Sequence, residues 1–158
     1  MRTSENTTDP IDRSQERNEK MFKIEKRLAS VSNVSLMIID MPCNVAAETV
    51  WPRGAAVNCE EGTLVKCTGD DIPAEYIVAE TCRTAGVNDT VKVYRILGDM
   101  VFRVPLTAYG AGVKVGNTVT FGSDSGSVTA TVAESHGALI VNTLGASAAG
   151  DKILVMLK

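Results

Sequence analysis

Aromatic side chains are scarce in this chain: 4% of its residues are Phe, Trp or Tyr, although 44% are hydrophobic. A core must therefore be built from Val, Ile, Leu, Ala and Thr, which suits thin β layers better than a ring-lined ligand pocket. Histidine occurs once, and the four cysteines (Cys43, Cys59, Cys67 and Cys82) form no close C-x-x-C pair. Structural zinc sites use such pairs, so the thiols read as free and packed as small hydrophobes, and neither a metal nor another cofactor is expected. A basic surplus is also missing: 16 Lys and Arg against 19 Asp and Glu leave a net charge of -3, which argues against a nucleic-acid partner. No apolar run reaches the length of about 18 residues that a membrane span needs. Met1 to Lys20 is polar and charged throughout, unlike a signal peptide. The expectation is a chain made in a reducing cytoplasm, with no disulfides and no membrane partner.

What the chain does have is a β-rich C-terminal block, from Arg103 to Lys158. Short β-branched runs (Thr118 to Phe121, Val128 to Val132, Leu139 to Asn142, Ile153 to Leu157) are cut by Gly, Ser, Asn and Asp, the punctuation of antiparallel strands and turns. Before it, Asp99 to Val104 continues strand patterning. Val34 to Met41 reads as a strand ended by Pro42, and Val45 to Trp51 as a looser segment ended by Pro52. Arg53 to Leu97 can be laid over Ala108 to Leu157 as an imperfect internal repeat. In that alignment Gly54 to Val57 matches Gly110 to Val113, Gly62-Thr-Leu-Val matches Asn117-Thr-Val-Thr, and Asp89 with its strand lies over Asp151 with its own. Two similar halves make a sandwich or a barrel-like layer, which limits exposed edges.

The N-terminal residues follow another pattern. Residues 1 to about 11 are too polar to offset their ordering entropy. Asp12 and Gln15 then stand as N-cap and N3 of a helix start, followed by Met21, Ile24, Leu28 and Val31 at helical spacing. Glu16 to Lys20 and Glu19 to Lys23 supply acid-before-base pairs on the other face. A lone helix of this length is marginal in water, so its stripe needs a partner. The reading is mainly β: an arm with an amphipathic helix over residues 1–33, then one sandwich or barrel-like domain over 34–158.

Constellations that could carry chemistry fail on geometry. Glu134, Ser135 and His136 are adjacent, and neighbouring residues of a strand point to opposite faces, so they form no relay. Gly122-Ser-Asp-Ser-Gly126 centres Asp124, not a serine, between its glycines, and reads as a turn. Gly110 to Gly116 is dense in glycine but leads into a Val/Thr strand, not the helix N-terminus a phosphate loop requires. The acidic pairs Glu60-Glu61 and Asp70-Asp71 lack the ligand spacing of a calcium loop and read as solvated loop charge. Trp51, between Val50 and Pro52, is a candidate core or subunit-contact residue.

The order of the C-terminal block carries a resemblance. A small-residue turn leads into Gly110 to Val113; then come TVTFGSDSGSV (Thr118 to Val128), an alternating Val/Thr strand, and ASAAGDKILVML (Ala146 to Leu157), with Gly-Asp before the last apolar strand. This resembles the β-rich capsid decoration proteins of tailed bacteriophages, also called cement or head-stabilisation proteins, over roughly the last hundred residues. The resemblance implies a structural virion protein, not an enzyme, that binds the outside of the capsid and stabilises the head. Its partners would be the major capsid protein and further copies of itself, as a homotrimer. The candidate capsid or subunit contacts are the arm and helix from Thr7 to Leu28, with Met21, Ile24 and Leu28 on the stripe, and Trp51. The alternative is a carbohydrate- or receptor-binding β module of a phage tail or fibre, with Trp51, Tyr76, Tyr94 and Tyr109 as stacking rings.

Overall fold

The computed structural model describes residues 22–27, 37–45, 47–98 and 100–157, and everything described is strand, turn or loop. The β-branched runs form strands because alternate side chains reach a core while Gly, Asn and Asp reverse the chain between them. A first unit contains β2 (Ile38–Pro42), β4 (Ala56–Glu60), β5 (Thr63–Lys66), β6 (Tyr76–Val78) and β8 (Thr90–Arg95). β3 (Thr49–Trp51) and β7 (Cys82–Thr84) form a separate ribbon beside it. A second unit contains β9 (Met100–Pro105), β10 (Thr118–Phe121), β11 (Val128–Val132), β12 (Ala138–Asn142) and β13 (Lys152–Leu157), with β1 (Lys23–Arg27) added at its edge.

The two units have one topology. The first sheet runs β2-β8-β6-β4-β5 and the second β9-β13-β12-β10-β11, so in each the order is first, fifth, fourth, second, third strand, antiparallel throughout. Register repeats as well. Adding 62 to Tyr76↔Arg95, Ile77↔Tyr94 and Val78↔Val93 gives Ala138↔Leu157, Leu139↔Met156 and Ile140↔Val155. The same step takes Ala56↔Ile77 and Val57↔Tyr76 to Thr118↔Leu139 and Val119↔Ala138. Asp89 Oδ2 accepts from the N–H groups of Ala85 and Gly86, as Asp151 Oδ2 does from Ser147 and Ala148. The repeat in the sequence is thus a repeat in the backbone.

Its alignment differs from the sequence reading in one place. Gly54 N donates to Val78 O at 2.8 Å and Gly116 N to Ile140 O at 2.9 Å, so the counterpart of Gly54 is Gly116, not Gly110. Both take a positive φ, 86° and 92°, which glycine adopts without a Cβ penalty. The strand matching Thr118–Phe121 is consequently β4, and not the Thr63–Lys66 strand that Asn117-Thr-Val-Thr suggested.

One core holds the units together. Phe102, Val104, Phe121, Val119, Ile140, Ile153 and Val155 of the second unit pack with Ala56, Cys67 and Ile77 of the first. A smaller core inside the first unit gathers Cys43, Trp51, Val57, Leu64, Val78, Val91 and Val93. The second sheet turns back on itself where Leu106 bridges Val128 and Thr107 N donates to Val128 O at 2.8 Å. At Gly112 a Cβ would run into the carbonyl oxygen of Ala130, so the loop before β10 lies against β11 only because that side chain is absent.

The helix expected from Asp12 to Val31 is not formed where the chain is described: Lys23–Arg27 is a strand paired with β9. Phe22 and Ile24 alternate with Lys23 and Glu25, and in a strand both apolar side chains reach the main core. The sheet therefore draws on residues before Val34. Met21, Leu28, Val31 and the remainder of that segment lie outside the described residues.

Candidate functional site

Of the four candidate contact residues, the structure places two. Ile24 is half-buried on β1 and packs on the main core, opposite Phe102. Trp51 is buried on β3; its Nε1–H donates to Thr84 Oγ1 of β7 at 2.8 Å. The Lys66 ammonium sits 5.4 Å from the Trp51 ring centroid and donates to Val50 O at 2.7 Å. A cation over an indole face adds about 0.5–1 kcal/mol at an exposed site. Trp51 thus works within the chain, as the anchor of the ribbon on the smaller core. Met21 and Leu28 lie outside the described residues.

The rings of the alternative reading are not gathered either. Tyr76 and Tyr94 are half-buried against the smaller and the main core respectively, and Tyr109 alone of the four is exposed. Burial pushes the Tyr94 hydroxyl well above the ordinary phenol range, against a smaller opposing pull from the Arg53 charge.

The polar residues singled out in the sequence hold loops. Asp124 Oδ1 accepts from Gly126 N at 2.9 Å and from Ser127 Oγ at 2.7 Å, the hydrogen bonds of a side-chain-locked turn. Asp70 joins the units: its Oδ2 accepts from Glu134 N at 2.9 Å and its carbonyl from His136 N at 3.1 Å. Beside it, Gly69 and Phe121 exchange backbone hydrogen bonds across the same boundary. Asp70, read in the sequence as a solvated loop charge, is therefore a clamp. Its signal was weak, because its partners stand more than sixty positions away and no local pattern points to them.

The cysteines are free thiols, with Cys43 and Cys67 buried and Cys59 and Cys82 half-buried. Burial, with smaller contributions from the Glu60 and Glu75 charges, pushes the Cys67 thiol up to about 12. Cys82 is also raised, first by burial and then by Cys43, Glu80 and Asp89. Both are held as neutral thiols at physiological pH, the wrong state for a nucleophile or a metal ligand. Among the described residues no group of three His, Cys, Asp or Glu side chains is placed to hold a metal ion.

One feature was not anticipated. A depression of about 440 Å³ is lined by Asp40, Glu80, Cys82, Thr90 and Lys92. Lys92 Nζ spends its charge on Asp40 Oδ1 at 3.2 Å, and the thiol there is protonated, so no activated group faces the space. Two more ion pairs, Arg83–Glu48 at 2.6 Å and Arg103–Glu25 at 3.1 Å, stand separately on the surface. Such exposed pairs are worth about 0–1 kcal/mol each and fix strand neighbours more than they build a site.

No known family, curated protein or solved structure matches the chain.

Proposed function

We propose that this protein is a structural component of a tailed-phage virion, which binds the outside of the capsid and stabilises the head. The observation that carries the reading is that the block resembling decoration proteins, Gly110 to Leu157, supplies four of the five strands of one of two like β units joined through a common core. Its most distinctive element, Gly150-Asp151 before the last strand, is a loop in which the carboxylate ties down two backbone N–H groups. Among the described residues, Asp70, Asp89, Asp124 and Asp151 hold loops in shape. Rigid, repeated surface is what a cement protein needs, since it performs no reaction and works by complementarity.

Contacts with the major capsid protein are individually weak in this account. In a homo-oligomer each subunit grips neighbouring capsid subunits at once, so avidity exceeds single-site affinity by orders of magnitude, roughly 10²–10⁴. The polar segment before Phe22 is the proposed contact arm, ordering on the capsid at an entropic cost. The test is to heat heads of the cognate phage with and without saturating protein and follow DNA release. The expected result is a higher release temperature in its presence; an identical temperature at saturation would remove the stabilising role.

A further inference from the structure

Two of the cysteines stand together beside the smaller core of the first unit. Cys43 follows β2: its N–H donates to Asp89 O at 3.1 Å, its Sγ–H donates to Gly86 O at 3.7 Å, and it is 0% exposed. Cys82 opens β7 opposite Trp51, is half-buried, and packs against the core to which Cys43 and Trp51 belong. Thr90 ties the two places together, since it pairs with Pro42, the residue before Cys43, and shares the wall of the depression with Cys82. After burial, Cys43 is the largest influence on the ionisation of Cys82, ahead of Glu80 and Asp89.

The other two thiols are placed elsewhere. Cys59 lies on β4 opposite Leu64, and Cys67 belongs to the main core, where its Sγ–H donates to Pro73 O at 3.7 Å. Within the pair the exposure differs, and that sets an order of reaction. Cys82 lines an open depression with Asp40, Glu80, Thr90 and Lys92, whereas Cys43 is shut off from solvent.

We infer that Cys43 and Cys82 are a redox pair, joined by a disulfide when a small-molecule disulfide reaches Cys82 from the depression. Cys82 gives its proton to solvent and attacks one sulfur of that molecule, whose S–S bond breaks and releases a small thiolate, which takes up a proton. Cys43, giving up its own proton, then attacks the Cys82 sulfur of the mixed disulfide; the Cys43–Cys82 bond forms and a second small thiol leaves. Two protein thiols are oxidised and one disulfide is reduced to two thiols. β3 to β6 lie between the two cysteines in the chain, so the bond closes a loop that holds most of the first unit and restricts the unfolded chain. A reducing compartment keeps the pair open, and an oxidising one closes it. In a virion that change comes when the particle leaves the cell; this timing rests on the reading above, whereas the chemistry does not.

The test exposes the folded full chain to hydroxyethyl disulfide, an uncharged reagent that the carboxylates of the depression neither draw nor repel. The protein is then denatured, its free thiols are capped with N-ethylmaleimide, and its fragments are weighed by mass spectrometry. Neither Cys43 nor Cys82 should take up maleimide, and digestion should yield them in one disulfide-linked fragment. In Cys82→Ala, Cys43 should stay free and take up maleimide, since its only route to the reagent is gone. Because burial holds the Cys82 proton, the bond should form roughly tenfold faster at pH 8 than at pH 7. Free Cys43 and Cys82 after exposure, a bond between other cysteines or between two chains, a mixed disulfide that stays on Cys82, loss of the Cys43 thiol in Cys82→Ala, or a rate indifferent to pH would overturn the pairing. No heads enter the measurement, so such a result leaves the virion reading standing.

Discussion

Phe22 belongs to the core that the two units share. Its ring stands edge-on to Phe102 and Phe121, 5.9 Å from each, while its N–H donates to Gly54 O in the first unit. Removing the ring takes away both edge-on contacts and leaves the backbone hydrogen bond, so Phe22→Ala should lower stability by about 3–5 kcal/mol in denaturant titration. A loss under about 1 kcal/mol would mean that β1 is not docked as described. Cys67 makes a different prediction, about pH. Its thiol ionises near 9.0 when unfolded and near 12 in the fold, so below the first value it has no pH-dependent effect. Between the two the unfolded chain loses a proton that the folded chain keeps, and stability falls by up to about 1.4 kcal/mol per pH unit. Tyr94, raised in the same direction, adds to the loss. The Cys67→Ala variant, followed by denaturation from pH 8 to 11, should show a shallower decline than the natural protein.

At the scale of elements, the paired aspartate loops offer a test of the repeat. Asp89 and Asp151 each hold two backbone N–H groups ahead of the last strand of a unit. Asp89→Ala and Asp151→Ala should therefore cost similar amounts, about 1–3 kcal/mol each, since each leaves charge-assisted bonds unmade. Costs differing by more than about 2 kcal/mol would show that the loops are alike in outline only. The strands after these loops were legible in the sequence, as were β10 and β11, whose bounds are those of the Val/Thr runs Thr118 to Phe121 and Val128 to Val132, with Gly122 and Ser127 between them. β1 was not legible. Phe22 and Ile24 with charges between them satisfy a two-residue alternation, yet Met21, Ile24 and Leu28 also satisfy a helical one, and only the free edge of β9 decides between them. The repeat was seen but misaligned, because Gly110 resembles Gly54 in its neighbours, whereas Gly116 resembles it in φ. Val34 to Met41 read as a strand, and Ile38–Pro42 is one; its exposure was not legible, since Met37 to Ile39 are apolar yet stand in water where no described neighbour covers them.

At the scale of the whole molecule, the described residues form two β units joined by a shared core, and their charged side chains stand in turns and separate ion pairs. Phe22 and β1 belong to the core, so deleting residues 1–30 would remove structure together with the arm. Deleting residues 1–20 separates the two. The shortened protein should keep its β circular dichroism and melting temperature and lose most of its affinity for heads; full affinity would move the capsid contact onto the β units. The most direct measurement of the proposed role is sedimentation of the full-length protein with undecorated tailed-phage heads, over a range of protein concentrations. The account predicts that it pellets with the heads and reaches a fixed number of copies per capsid. Protein that stays in the supernatant at every concentration would contradict it.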